Sequence, residues 1–374
     1  MGDRPFEQFG RRVVSGEARS PVAGVLRAGL RVLEPFYAGV MRLRNRLYDT
    51  GIFRSHDLSR PTISVGNITT GGTGKTPVVE WLARRLRGAG RHPAVLLRGY
   101  RSGPGGSDEA ALLDQSLNAD GAAPAVVVLA NPNRVMGAEQ AIGRDASIDV
   151  FVLDDAFQHR RARRSFDLVL IDAFCPFGHE HVLPRGLLRE PLAGLQRAHA
   201  MLITRSNQTN DVHLGEIEQA LRRHNRNAPI YRASHVHVGL RAPNARELLP
   251  ISELRSRRFF ALAGIGNPAA FHAQLGGFGN TYLGQRWFAD HHDYTADDVA
   301  RVRQEATAAG AEVIVTTEKD WMKLARLDAA TSGEPGLWRL AMEIRFAPGD
   351  EERLFGQILK TITVGSPAKS PESS

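Results

Sequence analysis

An α/β fold with a doubly wound, mostly parallel sheet is predicted by three observations. From residue 61 onward, short β-branched or apolar runs alternate with helical stretches. The first run ends in a glycine-rich loop that opens directly into a helical segment. A later one, "VFVLDD", ends in paired aspartates, Asp154 and Asp155. Apolar runs without polar alternation read as strands buried on both faces, the signature of a parallel sheet between helical layers. The expected architecture is a P-loop NTPase-like core, a smaller C-terminal α/β domain and an N-terminal amphipathic helical segment.

The chain of 374 residues is long enough for two domains, and 42% hydrophobic residues favour a globular protein over a disordered one. A single cysteine, Cys175, excludes an internal disulfide framework and fits a reducing compartment. The formal charge of +8 points to an anionic partner. Residues 1–60 hold eleven arginines against six acids, so most of the excess precedes the loop. The start "MGDRPFEQFGRRVV", with acids in it and no long apolar run, predicts no cleavable leader, and Arg27, Arg31, Glu34 and Pro35 interrupt the early apolar stretch too often for a spanning helix.

In order, residues 1–60 form the amphipathic segment. A helical wheel gathers Leu26, Leu30, Leu33, Phe36, Tyr37, Val40, Met41, Leu43 and Leu47 on one face, with Arg27, Arg31, Glu34, Arg42 and Arg46 opposite. Pro35 is expected to kink or divide it. Two readings stand side by side: a helix in the interface of an anionic membrane, and a helix packed on the next domain. Residues 61–235 form the core, with strands expected at 62–67, 93–99, 125–130, 149–155, 167–173 and 200–206. Residues 236–362 form the smaller domain, with strands within 257–266, 281–288, 311–320 and 337–346; the alternating run 229–240 joins the two. The Pro/Ser-rich end, 363–374, reads as a disordered tail.

The loop Thr69, Thr70, Gly71, Gly72, Thr73, Gly74, Lys75, Thr76 follows a strand and precedes a helix, as a phosphate-binding loop requires. Its glycines let backbone N–H groups converge on phosphate oxygens, Lys75 reaches the β and γ phosphates, and Thr76 is placed to ligate Mg²⁺. Thr69 stands where the usual pattern has its first glycine. That glycine mainly eases a turn, whereas the donors and the cation are retained. Asp154 and Asp155 then read as a Walker B segment at the carboxyl end of a parallel strand, one acid holding Mg²⁺ directly or through water.

Asp108 and Glu109 open a helical segment after a glycine-rich stretch; spacing alone favours helix capping over a place near the γ-phosphate. "FADHHDY", with Asp290, His291 and His292, is equally compatible with metal binding, catalysis or polar surface. Cys175, His179 and His181 imitate metal spacing but have no matching fourth donor. The arginines in "HRRARRSF" read as a solvated surface or as a contact for phosphate.

Taken in order, "SVGNITTGGTGKTP", "LRGYRS", "SDEAALL", "DDAFQHRR", "DLVLIDA", "LPRGLLREPL", "LITR", "ALAGIGNP", "FADHHDYT" and "TTEKDWMKL" resemble the tetraacyldisaccharide 4'-kinase family over residues 20–346. Loops of that family commonly lack the first glycine, so Thr69 fits. The resemblance implies transfer of the ATP γ-phosphate to the 4'-hydroxyl of tetraacyldisaccharide 1-phosphate, giving lipid IVA in lipid A biosynthesis, at the cytoplasmic face of the bacterial inner membrane. It implies ATP and Mg²⁺ as cofactors. The implied partners are an acylated disaccharide lipid and, through the N-terminal segment, an anionic membrane surface, with no nucleic acid and no obligatory protein partner.

By the same resemblance Lys75 and Thr76 match the loop lysine and Mg²⁺-ligating threonine, Asp108 the catalytic base, and His291 its partner from the other domain. Glu109, Asp154, Asp155 and Gln158 match acids and a glutamine of the nucleotide and metal site. The rival is a deviant-Walker membrane-associated ATPase switch, whose signature lysine would fall at Thr70.

Overall fold

The structure is a computed structural model that describes residues 4–70, 73–99, 107–118, 121–243, 248–265, 268–289 and 292–364. Gly71, Gly72, Asp290 and His291 lie outside the described residues, as do the side chains of Asp108 and Glu109.

Two helices come first, α1 (Arg4–Ser15) and α2 (Pro21–Asp49). Ser20 caps α2 by accepting from the Ala23 N–H at 3.2 Å, and Pro21 sits in the first turn, where no backbone donor is needed. Pro35 lies inside this 29-residue helix, which continues through it undivided. Anchors on either side hold it: Glu34 accepts from the Val182 N–H at 3.1 Å, and the Tyr37 hydroxyl donates to the Arg189 carbonyl at 2.9 Å.

There follow β1 (Thr62–Asn67), α3 (Lys75–Gly88), β2 (Pro93–Leu97), α4 (Asp108–Asn118), β3 (Val127–Ala130), α5 (Arg134–Arg144), β4 (Val150–Asp154), β5 (Phe166–Asp172), β6 (Ala200–Thr204), α6 (Asp211–His224) and β7 (Ile230–Arg241). The next elements are β8 (Phe259–Ala263), α7 (Pro268–Gly276), β9 (Tyr282–Trp287), α8 (Ala296–Ala308), β10 (Val313–Thr317), α9 (Glu318–Leu324), α10 (Asp328–Thr331), β11 (Gly336–Phe346) and α11 (Asp350–Val364).

The chain divides into two compact units. In the first, strands stand in the order β3-β2-β4-β1-β5-β6-β7, with every pairing parallel. Strand residues alternate between two apolar layers. Ile63, Val65, Val95 and Leu97 pack under α3, α4 and α11, while Leu96, Phe151, Val169 and Ile203 face the layers of α5 and α6. The doubly wound sheet of the sequence analysis is therefore present. Because β1 lies between β4 and β5, the loops after β1 and β4 leave neighbouring strand ends, with Val65 in register with Asp154. That is where ligands of open α/β sheets bind.

The second unit, residues 235–343, carries β10, β8 and β9 side by side in parallel and is covered by α8 and α9 on one face. Residues 344–364 belong with the first unit, whereas the sequence had placed the smaller domain's end at 362. The reason is packing: Leu354, Phe355, Ile358 and Ile362 of α11 are buried in the core beneath α3, and Phe346 lies 4.5 Å from Trp81 ring to ring.

The face of α2 differs from the helical wheel. Tyr37, Ala38 and the polar Glu34, Arg44 and Asn45 contact the protein. Val22, Val25, Leu26, Val32, Leu33, Phe36, Val40 and Leu43 form an exposed stripe, 45–73% accessible. Among the described residues no helix is long and apolar enough to cross a membrane.

Candidate functional site

The loop after β1 begins as extended chain rather than a turn. Thr69 is buried, is not among the described residues with positive φ, and pairs with Leu188 as an antiparallel bridge. The Thr70 N–H donates to the Leu187 carbonyl at 2.7 Å, and the Arg189 N–H to the Ile68 carbonyl at 2.8 Å. Glycine has no steric advantage in such a conformation, which explains why threonine serves at 69. The left-handed residue comes later, at Gly74 (φ 77°), which caps α3 without any side-chain bond to its first N–H groups. Thr204, at the end of β6, holds the loop from behind by donating to the Thr73 carbonyl at 3.0 Å.

Lys75 is the first residue of α3. Its ammonium lies 3.3 Å from Asn67 Oδ1 and 3.5 Å from Asp155 Oδ1. Asp155 follows β4 in a left-handed conformation (φ 49°), and Arg189 donates to both its oxygens at 2.8 and 2.9 Å. Burial alone would raise the Asp155 pKa, but Lys75 and Arg189 hold it below the usual carboxylate value. Asp154 is buried at the end of β4, and its carbonyl accepts from Arg134 at 2.9 Å.

Gln158 supports the site from below. Its amide donates to the Asn67 carbonyl and to Glu190 Oε1, both at 3.0 Å. Glu190 is fully buried and also accepts from Arg197 at 2.8 and 2.9 Å and from Asn45 of α2 at 2.8 Å. The chain after β4 presses on β1 here, since a Cβ on Gly66 would stand 2.7 Å from the Phe157 nitrogen.

Two observations bear on the groups the sequence implies. Asn67 Nδ2 and Thr73 Oγ1 are buried with no hydrogen-bond partner in the protein, a costly arrangement unless a polar ligand such as phosphate completes it. The donor set of Thr76 and two aspartates is hard oxygen, which fits Mg²⁺ held by one or two carboxylates and substrate phosphates. Among the described residues no three His, Cys, Asp or Glu side chains are grouped to hold a metal by themselves. His181 is used elsewhere, against Glu34 at 3.0 Å, and His179 lies 4.0 Å from Cys175.

The structure links Lys75, Asp155 and Gln158 through Asn67 and direct contact, holds Thr69 on Leu188 and Thr73 on Thr204 separately, and puts Asp108 and Glu109 at the opening of α4. Asn67, Arg189, Glu190 and Thr204 were not singled out from the sequence. "LPRGLLREPL" and "LITR" contain the last three, but nothing local links them to residues so distant in the chain. Of the arginine run, Arg160 pairs with Asp49 at 2.7 Å and Arg164 with Asp167 at 3.1 Å, while Arg161 and Arg163 are exposed. Burial beside Arg134 and Arg164 lowers the His159 pKa to about 4, so it is neutral at neutral pH.

A family profile described as "Tetraacyldisaccharide-1-P 4'-kinase" matches residues 26–363. The chain belongs to the tetraacyldisaccharide 4'-kinase family. The tetraacyldisaccharide 4'-kinase of Anaeromyxobacter dehalogenans (strain 2CP-C) is 35% identical over 335 residues, 85% of this chain and 86% of that one. The tetraacyldisaccharide 4'-kinase of Syntrophus aciditrophicus (strain SB) is 38% identical over 338 residues, 83% of this chain and 86% of that one. A crystal structure of LpxK from Aquifex aeolicus in complex with ATP superposes with a TM-score of 0.69 and 26% identity, over 90% of this chain and 99% of that one. Membership makes the chain a kinase of lipid A biosynthesis and decides against the ATPase switch. In this chain the loop after β1 meets a lysine–aspartate–arginine chain through Lys75.

Proposed function

We propose that this tetraacyldisaccharide 4'-kinase binds ATP on residues 69–76 and passes the γ-phosphate to the sugar 4'-hydroxyl, with Asp108 accepting the hydroxyl proton. The observation that carries this reading is the convergence of Lys75 and Asp155 at adjoining strand ends, 3.5 Å apart. Phosphoryl transfer is mostly positioning and charge stabilisation. Loop N–H groups and Lys75 orient the phosphates, and Asn67 and Asp155 orient Lys75. Thr76, Asp154, Asp155 and Glu109 would hold Mg²⁺, which supplies neutralisation of phosphate charge when bound. Both Asp155 oxygens accept from Arg189, so Asp155 would meet the ion while paired to that guanidinium. A sugar hydroxyl is a weak nucleophile near neutral pH, so Asp108 as base helps, and His291 shares or relays that proton.

The test is incubation of the full chain with γ-labelled ATP, Mg²⁺ and tetraacyldisaccharide 1-phosphate in detergent micelles. Label is expected in the lipid at its 4' position. Label only in inorganic phosphate would refute the transfer.

The acceptor is a lipid, and the exposed stripe of α2 supports docking on an anionic membrane surface at the cytoplasmic side, where ATP is. Each aliphatic side chain fully buried from water contributes about 1.5–3 kcal/mol, so partial insertion of three or four suffices for peripheral binding. Exposed Arg42 and Arg46 flank the stripe and suit anionic headgroups. Phe36→Asp with Val40→Asp is expected to abolish co-sedimentation with anionic phospholipid vesicles and to leave the melting temperature unchanged, because both side chains are exposed. Undiminished co-sedimentation would remove α2 as the docking surface.

A further inference from the structure

Several residues in the second unit grip the chain on either side of Asp290 and His291. The His292 N–H donates to the Ala289 carbonyl at 3.1 Å, which joins the two described residues that flank that pair. His292 is itself locked. Its Nε2 lies 2.9 Å from Asp298 Oδ2, its ring stacks on Phe288 at 4.6 Å, and its carbonyl accepts from Lys323 at 2.8 Å. Asp298 is tied in turn to Thr295 by the capping box of α8.

A second clamp lies beneath. Asp320 is buried at 2% exposure, accepts from the Tyr294 hydroxyl at 2.9 Å and from the Gly264 N–H at 3.1 Å, and closes the N-terminal cap of α9 with Thr317 at 2.6 Å. The fit is close, because a Cβ on Gly264 would stand 2.8 Å from the Tyr294 hydroxyl and 2.9 Å from the Ala289 carbonyl. Burial and the facing Asp320 carboxylate raise the Tyr294 pKa, so the hydroxyl remains a donor. Loops after β8 and β9 and the start of α9 are thereby fastened to one carboxylate.

Nε2 of His292 is taken up by Asp298 and is not available to a substrate proton, which separates the task of His292 from that of its neighbour. We infer that His292, Asp298, Tyr294 and Asp320 are positioning residues that fix the chain flanking His291 for phosphoryl transfer. This rests on the reading above that His291 takes part in the reaction. Residues so placed act on the geometry of the transfer and not on nucleotide affinity.

The test is a double-mutant cycle in the full chain, with Asp298→Asn and Tyr294→Phe made singly and in combination with His291→Ala. Each variant is assayed for kcat, for KM toward ATP and for melting temperature. Asp298→Asn and Tyr294→Phe are each expected to lower kcat by about tenfold, with KM for ATP unchanged, and to cause no further loss once His291 is alanine. Losses that multiply undiminished in the His291→Ala background would overturn the positioning role while leaving His291 in the reaction. Normal kcat in His291→Ala itself would overturn both readings. Lys323→Met, which removes the donor to the His292 carbonyl, supplies the same comparison if Tyr294→Phe does not fold.

Discussion

Asp108→Asn is expected to lower kcat by about 10²- to 10⁴-fold, the usual contribution of a positioned general base, while the KM for ATP changes little. The expectation follows from chemistry and placement together. The acceptor is an alcohol whose proton has to leave as the new P–O bond forms, and an amide cannot take it up. Asp108 opens α4, so its backbone is set by a regular helix whose Leu113 and Leu117 are buried in the main core. An isosteric amide leaves those contacts alone. Steady-state kinetics with the lipid acceptor, beside a melting curve, separates loss of the base from loss of fold. Turnover near that of the parent enzyme would assign the proton to another group.

Lys75→Met is expected to reduce kcat by about 10²- to 10³-fold, the scale found when one preorganised donor to developing charge is removed. The KM for ATP should rise as well, since an ammonium on the phosphates acts in ground and transition states alike. Stability should be nearly unaffected. Asp155 loses one partner at 3.5 Å but keeps the two-pronged bond to Arg189, so no carboxylate is left buried and unpaired. Lys75→Arg is not a rescue, because a planar guanidinium has a different reach and shape from a compact ammonium. Full activity in either variant would take the phosphate contact away from Lys75.

Much of this was legible in the chain itself. The strands of the core fell within a few residues of their places, because buried parallel strands are written as short apolar runs. The loop was legible from its glycines and Lys75-Thr76, and the ordered motifs pointed to the family that the profile match then showed. Thr69 looked like a defect only while the loop entry was assumed to turn. Its bridge to Leu188 makes it extended chain, and no spacing rule announces a partner so far along the sequence.

α2 shows the opposite limit. Periodicity announced an amphipathic helix correctly, but a helical wheel shows which residues share a face and not which face turns outward. Glu34, Arg44 and Asn45 found polar partners on the core and Tyr37 and Ala38 packed beside them, so that mixed face went in while the apolar stripe stayed out with Arg42 and Arg46. Arg189 illustrates the same point at the site: it meets Asp155 from 34 positions along the chain, and its carbonyl accepts from the Tyr37 hydroxyl 152 positions away.

The sequence by itself determined the α/β class, the glycine-rich loop between a strand and a helix, and the family, since these depend on patterns among neighbouring residues. The tertiary structure decided the lysine–aspartate–arginine chain at Asp155, the return of α11 to the first unit and the outward face of α2. Those depend on which distant surfaces satisfy each other's charge and bury each other's apolar area, and that balance is settled only when the whole chain packs.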